Sequence, residues 1–340
     1  MKVWLPAIRS GTGTDVFTLR LQQALAKRGV ESSITWFPLW MELFPHFLRR
    51  AKIPRDVDVI HANGWAGAAF VRRGVPVVVT VHHLVHDPAY AQFKSPVQAL
   101  YHRLHLRRRE LTALRGASAV TAVSGYVAGT VEAFGCPQPV LVVHNWVDSD
   151  DFIPTLLPRS DGPFRLFLPG NLSRRKGFDL LPVLVEALGP EFEVRCTTGL
   201  RGVGMGNFGR TVVDLGRLTE RQLIAEYQGC DAVVSLSRYE GFGYTAVEAM
   251  ACGKPFIGFW TSGLGEVVPV DAGFLVPIES IESMALQISA LRDDAGRGAA
   301  LGDAGRQHVL RNFSQGNASK YVGVYETALR ERPRQSVRVS

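Results

Sequence analysis

The sequence predicts an α/β protein built from two doubly wound parallel-sheet domains in tandem. Three observations lead there. Short valine-rich runs alternate with amphipathic helical stretches, which is the pattern of βαβ units. That pattern stops at a proline-rich segment and then restarts. The chain, at 340 residues, is long enough to bury two separate cores.

The elements follow in order. MKVWLPAI is a short apolar run, followed by the loop RSGTGT and the helix DVFTLRLQQALAKRG, for which Gly29 is the natural C-cap. DVDVIHAN, VPVVVTVHH, ASAVTAVS and PVLVVHN are compact runs of the kind expected for parallel strands buried on both faces. Residues 1–153 are read as the first domain. IPTLLPRSDGP carries three prolines and no periodicity, so 154–163 reads as a linker. The second domain, 164–312, runs through FRLFLPGN, the helix GFDLLPVLVEALG, FEVRCTT, TVVDLGRL, the helix TERQLIAEYQGC, DAVVSLS, the helix YTAVEAMACG and PFIGFW. Ligands of open α/β sheets sit beyond the carboxyl ends of the strands. Two such domains facing one another would place a substrate cleft between them.

Hydrophobic residues at 46% and charged residues at 20% are the proportions of an ordinary soluble protein. Cys136, Cys196, Cys230 and Cys252 have neither metal-ligand nor redox spacing and read as buried small hydrophobes of a reducing compartment. MKVWLPAIRS turns polar too early for a secretory signal. No run approaches the ~20 apolar residues of a membrane span. The expectation is a cytoplasmic protein. The net charge of +7 is unevenly placed: residues 1–150 hold 17 Lys and Arg against 10 Asp and Glu, and the rest balance at 21 each. The first half therefore suits an anionic membrane, an acidic substrate or a nucleic acid. Because no recognition motif accompanies its basic residues, nucleic acid is disfavoured.

The chemistry concentrates in RYEGFGYTAVEAMACGKP, residues 238–255. Glu240 falls in a loop just past a strand, and Glu248 about a turn into a helix of Ala, Val and Met. An unpaired carboxylate in so apolar a helix costs several kcal/mol, roughly. Glu248 therefore needs either a buried Arg or Lys or the hydroxyls of a ligand. Gly241 and Gly243 allow close approach of the backbone, and the helix start that follows attracts phosphate. Lys176, with Arg174 and Arg175 beside it, ends the turn LPGNLSRRK; such a cation suits a diphosphate, or is a solvated basic turn. Gly11 and Gly13 could cradle phosphate on N–H groups or merely shape a turn. The strand VTVHH ends in His82 and His83, which either touch a substrate or anchor the strand. These two with His86 lack the carboxylate–histidine helix of a metal site, so no metal is expected.

Together these segments resemble the family-4 retaining glycosyltransferases of the GT-B fold, nearly end to end. SGTGTDVFTLRLQQALAKRGV resembles the family's opening loop and helix, TVHH its histidine strand, and VTAVSGYVAGTV and VVHNWVDSDDF the close of its first domain. GNLSRRKGFDLL resembles the donor-phosphate turn. LGRLTERQLIAEYQGCDAVVSLSRYEGFGYTAVEAMACGKPFIGF carries the family's two glutamates seven residues apart. NFSQGNASKYVGVYETAL resembles a closing helix, 313–330, that returns to the first domain.

The resemblance implies a hexosyltransferase using a nucleoside-diphosphate sugar, GDP-mannose or a UDP-sugar, with retention. Glu240 would hold the hexose hydroxyls, and Glu248 those of the ribose. Lys176 would neutralise the diphosphate. Gly241, Phe242, Gly243 and Tyr244 would border the donor at the helix start, with Gly13 from the other domain. Gly216, Arg217 and Leu218 match the turn beside the base. His82 matches a histidine near the transferred sugar, and Gly11, Thr12, His83 and Asn145 fall on the acceptor side. Neither a metal nor a cofactor is implied. The chain departs from the family pattern at Asn171, where arginine is usual, so the diphosphate contact would pass to Arg174 or Arg175. Other departures are Thr12 between two glycines, His144 and Trp146 in HNWVD, and CTTGLRG.

Residues 35–55, TWFPLWMELFPHFLRRAKIPR, join aromatics to a basic end, and YHRLHLRRREL at 101–111 is a cationic helix. Either they face an anionic bilayer surface or they pack on the first sheet with a solvated basic face. With the charge asymmetry they favour a glycan or lipid-linked acceptor of bacterial surface polysaccharide, lipopolysaccharide or glycolipid synthesis, reached from the inner face of the cytoplasmic membrane. The alternatives are a non-catalytic GT-B assembly subunit, which Asn171 favours, and a nucleotide-sugar epimerase on the same fold. A phosphorylase would need a pyridoxal phosphate lysine, for which no site is recognisable, and the missing G-x-G-x-x-G disfavours an NAD oxidoreductase.

Overall fold

The computed structural model describes residues 1–155, 162–171, 173–197 and 211–330. Residues 156–161 of the expected linker, and 198–202 of CTTGLRG, lie outside them. The chain divides into two compact units, Met1–His144 with the segment from Gly316, and Asn145–Gln315.

Six parallel strands form the first unit's sheet: β1 (Lys2–Ile8), β2 (Glu31–Phe37), β3 (Val59–Asn63), β4 (Val77–Val81), β5 (Ala119–Ala122) and β6 (Val140–Val142), in the order β2-β1-β3-β4-β5-β6. The central runs are buried because helices cover both faces of a parallel sheet; all five residues of β4 are inside. β2 went unread in the sequence. It is an edge strand with only partly buried residues, so it lacks the apolar run that betrays the others.

The second sheet comprises β7 (Phe164–Leu168), β8 (Phe192–Cys196), β9 (Val212–Asp214), β10 (Ala232–Ser235), β11 (Phe256–Phe259) and β12 (Gly273–Val276), in the order β12-β11-β10-β7-β8-β9. All its pairings are parallel. This is the doubly wound dinucleotide-fold order, which reverses between β7 and β10 and so opens a switch point there. Leu166, Val194, Val234 and Ile257 from the strands meet Leu184, Met284 and Ile288 from flanking helices in one core. Burying each such side chain contributes about 1.5–3 kcal/mol.

The division between units corrects the expected boundary. It falls at His144–Asn145, ahead of the prolines. Residues 145–152 belong to the second unit because they bond to it: the Val147 N–H donates to Phe313 O at 3.1 Å. Arg306 donates from Nη1 to Phe152 O (2.5 Å) and from Nη2 to Ser149 O (2.9 Å). The helix expected over GFDLLPVLVEALG also starts late, at Leu181. Pro182 is tolerated only in a first turn, and a 3-10 turn, Phe178–Leu180, precedes it.

The C-terminal helix Ala318–Arg330 lies in the first unit, held there by a buried polar network. His61 Nδ1 shares a 2.6 Å hydrogen bond with the Tyr325 hydroxyl, and Nε2 one of 2.7 Å with Thr80 Oγ1. Thr80 also meets Thr121 Oγ1 at 2.6 Å. Burial pushes the His61 imidazole down to about 3, so it is neutral at pH 7. Tyr325→Phe leaves that ring nitrogen unpaired in the core and is expected to cost about 1–3 kcal/mol, read as a lowered urea midpoint.

Residues 35–55 are not one helix. Past β2 they form the 3-10 turns Leu39–Glu42 and Pro45–Arg50, broken by prolines. Residues 101–111 are helical but pass through a π turn, His102–Leu106. His102, Leu106 and Glu110 point inward while Arg103, Leu104, Arg107 and Arg108 are exposed. The Tyr101 hydroxyl bridges the two segments, donating to Glu42 O (3.0 Å) and Leu43 O (2.9 Å). Leu39, Trp40, Leu43, Phe44, Leu100 and Leu104 stay exposed beside those arginines. Among the described residues no helix is long and apolar enough to cross a membrane.

Candidate active site

The switch point of the second sheet is where the sequence-predicted residues converge. The loop leaving β7 carries Lys176, and the loop leaving β10 carries Glu240; Lys176 Nζ donates to Glu240 Oε1. Both side chains are largely enclosed, at 21% and 13% exposure. Burial holds the Lys176 ammonium below its ordinary pKa, against the raising effect of Glu240 and despite Glu248 nearby. For Glu240 burial works upward, but the charges of Lys176 and Arg175 and hydrogen bonds from Lys176 and Ser237 outweigh it and keep the carboxyl below its usual range. The two side chains form a largely enclosed ion pair, with Arg175 as the surplus cation.

Gly177 makes this approach geometrically feasible. It has φ of 71°, and a Cβ there would lie 2.0 Å from the Leu236 carbonyl oxygen. The Lys176 turn thus lies flat on the end of β10. Ser173 caps the turn, its hydroxyl accepting from the Lys176 N–H at 3.3 Å and donating to Asn171 Oδ1 at 2.7 Å. Asn171 thereby braces the turn where the family pattern has arginine. Arg175 Nη1 donates to Tyr239 O at 3.0 Å, while Arg174 is exposed.

The helix Tyr244–Ala251 starts at Gly243, whose φ of 107° and close contact with Leu264 exclude a side chain. Gly241 and Gly243 are backbone positions of the loop. The Phe242 ring is buried between Tyr244 (5.6 Å) and Phe313 (5.5 Å), so its contribution at the loop surface is backbone. Glu248 is 7% exposed. The sequence offered it a basic partner or a ligand; the structure supplies a tyrosine, with Tyr227 Oη donating to Oε2 at 3.0 Å. Burial first, then the charge of Glu248, pushes the Tyr227 hydroxyl well up, so it remains a donor. On the far strand of this half-sheet, Gly216 (φ 60°) donates its N–H to Asp214 Oδ1 at 2.8 Å, and exposed Arg217 and half-buried Leu218 follow at the end of β9.

In the first unit, the loop after β1 holds Gly11 and Thr12, Gly13 opens the helix that follows, and His82 and His83 follow β4. Of the two readings open for Gly11, the turn-shaping one matches its bonds. Its N–H donates to Asp15 Oδ2 at 2.8 Å, and Ser10 N–H and Oγ donate to Asp15 Oδ1 at 3.1 and 3.0 Å. A carboxylate already sits where an anion would, because Asp15 follows in the first turn of helix Gly13–Ala26. Thr12 meets Ser10 Oγ at 2.7 Å. His82 donates from Nε2 to Asn63 Oδ1 at 3.1 Å and packs edge-on against Phe17 at 4.6 Å. Burial, with His83 and His61, lowers its pKa to about 3, so it acts as a neutral imidazole. His83 is exposed, 5.5 Å from Tyr90. His86 pairs with buried Glu110, which fixes it structurally. Asn145 is 2% exposed, with no hydrogen-bond partner for Oδ1 among the described residues.

Sequence reasoning missed Tyr227, Gly177, Arg238 and the Thr261–Gly263 loop, whose Gly263 N–H donates to Glu240 O at 2.9 Å. A lone arginine beside the RYEG glutamate was visible, but its partners, Asp179 and Glu279, are 59 and 41 residues away.

The chain resembles known proteins in sequence and in fold. The sequence model described as Glycosyltransferase Family 4 matches residues 14–151, and that described as Glycosyl transferases group 1 matches 208–308. MMP alpha-(1->4)-mannosyltransferase of Mycolicibacterium hassiacum is 26% identical over 333 residues, spanning 87% of this chain and 77% of that protein. D-inositol 3-phosphate glycosyltransferase 1 of Catenulispora acidiphila is 28% identical, spanning 82% and 74%. Sucrose-phosphate synthase from Thermosynechococcus elongatus superposes with a TM-score of 0.81 at 20% identity, covering 96% of this chain and 98% of its own. Anabaena HepE in complex with UDP-glucose gives 0.73 at 18%, covering 96% and 100%. With a glycosyltransferase model matching in each half and two six-stranded parallel sheets, the chain belongs to the family-4 glycosyltransferases of the GT-B fold.

Proposed function

We propose that the protein transfers a hexose, with retention and without a metal, from GDP-mannose or a UDP-sugar to a glycan or lipid-linked saccharide of a bacterial surface polysaccharide, lipopolysaccharide or glycolipid. The observation that carries this is the enclosed Lys176–Glu240 ion pair at the β7/β10 switch point. As the anomeric bond breaks, negative charge grows on the leaving diphosphate. A preorganised ammonium beside a surplus guanidinium stabilises it without reorganisation. Glu240 offers carboxylate oxygens to sugar hydroxyls, and Glu248 to the ribose. The leaving phosphate takes the acceptor's proton, so neither glutamate serves as base or nucleophile.

The relatives' names supply the candidate donors. One is a GDP-mannose-dependent phosphatidylinositol monomannoside mannosyltransferase of Corynebacterium glutamicum, 30% identical over 162 residues and spanning 42% of each chain. HepE was solved with UDP-glucose. On the acceptor side, the exposed apolar residues Trp40, Leu43, Phe44 and Leu104 beside Arg103, Arg107 and Arg108 suit the surface of an anionic bilayer.

A thermal-shift panel of GDP-, UDP- and dTDP-sugars, followed by transfer to lipid extract, tests the reading. One nucleotide class is expected to raise Tm by several degrees, since ligand at about 100 times its Kd adds about 2.7 kcal/mol. A flat panel would sink the transferase reading.

A further inference from the structure

Two residues before Glu240, Arg238 makes more connections than any nearby side chain whose role is already described. Its guanidinium is inside, at 8% exposure. Nη1 and Nη2 grip both oxygens of Asp179, at 2.6 and 2.9 Å. Nη1 also donates to Arg174 O at 2.5 Å, and Nε to Glu279 Oε1 at 2.5 Å. Its backbone N–H donates to Arg175 O at 2.9 Å, and its carbonyl accepts from Thr261 Oγ1 at 2.7 Å. One residue thus ties the loop after β7, on both sides of Lys176, to the loops after β10, β11 and β12. Two of these loops hold non-glycine residues at positive φ, Ser262 (38°) and Glu279 (65°). Such backbone persists only where surrounding bonds over-determine it. Arg238 is fully neutralised by two carboxylates, so it has no charge to offer a diphosphate; what it supplies is placement.

We propose that Arg238 is a positioning residue that clamps the Arg174–Lys176 turn onto the Glu240 loop, with Asp179 and Glu279 as its counter-ions. This deepens the transferase reading and rests on it only for the consequence to nucleotide binding. A planar fork with five donors can hold two carboxylates and a carbonyl in fixed directions; a lysine in its place cannot. Without the clamp the turn keeps the Gly177 contact and the Arg175 bond to Tyr239, but Lys176 loses its fixed distance from Glu240.

The test compares Arg238→Met and Arg238→Lys with the wild type in three measurements. Thermal unfolding is expected to stay within about 5 °C, because Asp179 and Glu279 have side chains 48% and 53% exposed and remain hydrated when unpaired. The second is an NMR titration of the Lys176 side-chain Cε, assigned with Lys176→Arg, in ligand-free protein. In Arg238→Met, Lys176 is expected to titrate nearer an ordinary lysine. The third is calorimetric binding of UDP and GDP. Affinity is expected to fall about 10- to 100-fold in Arg238→Met, partly restored in Arg238→Lys. That loss is expected to vanish when Lys176→Met is already present, since residues acting through one contact are non-additive. An unchanged Lys176 titration, or the same loss with and without Lys176, overturns the proposal. If Arg238→Met does not fold, Asp179→Asn removes the bidentate partner at a half-exposed position and is read the same way. If the wild type binds neither UDP nor GDP, the nucleotide reading fails while the Lys176 titration still decides the clamp.

Discussion

Glu240→Gln is expected to lower sugar transfer by about 10²–10³-fold while the protein stays folded. The substitution keeps the side chain's shape and its place beside Ser237, but removes the charge that pairs with Lys176. Lys176 then keeps Arg175 and the weaker influence of Glu248, and burial drives it further toward the neutral amine, so the diphosphate loses its ammonium as well. The sugar hydroxyls lose a charged acceptor, worth roughly twice a neutral one. Initial rates with the donor identified by the thermal panel, alongside a melting curve, check this. Near-normal turnover in a folded variant would remove Glu240 from the site.

Lys176→Met is expected to have an effect of similar size, about 10²-fold or more on kcat/KM, with a distinct pH signature. The Lys176 pKa is held low chiefly by burial, against Glu240. Its ammonium is therefore lost, as pH rises, below the ordinary lysine range. Nucleoside-diphosphate affinity should fall on that alkaline limb in the wild type, and the limb should disappear in Lys176→Met. Calorimetry with the bound nucleotide between about pH 7 and 10 separates the two. A limb that persists without Lys176 would assign it to another group. Glu240 has the opposite sign: its carboxyl is held below the usual range. The stability it contributes is full above the unfolded pKa and is lost as pH falls through the folded one.

Much of this site was legible beforehand for a local reason. Lys176, Glu240 and Glu248 each belong to a strand–loop–helix segment whose burial pattern can be read within one window, and a parallel sheet delivers every such loop to the same edge. Gly243 at the helix start follows from the same logic, whereas Tyr244 and Gly216 were named through the family resemblance. The weak edge strand β2 escaped because its residues are only partly buried. The unit boundary was misplaced because prolines mark where a chain turns, whereas contacts of Val147, Ser149 and Phe152 decide which core it joins. That the Gly11 N–H bonds to Asp15 could not be read beforehand, because Asp15 lies four residues on and no periodicity reveals the direction of its side chain.

The sequence by itself determined the two doubly wound units, the parallel sheets and the candidate residues Lys176, Glu240 and Glu248, since alternation, turn chemistry and motif spacing are short-range quantities. Only the tertiary structure decided who partners whom. It set the Tyr227 hydroxyl against Glu248, gave the Gly11 N–H the Asp15 carboxylate, and drew Arg238 to Asp179 and Glu279. The physical reason is that a buried polar group must be satisfied by whatever donor or acceptor the fold brings within about 3 Å, and that neighbour is set by strand order, which no local window contains.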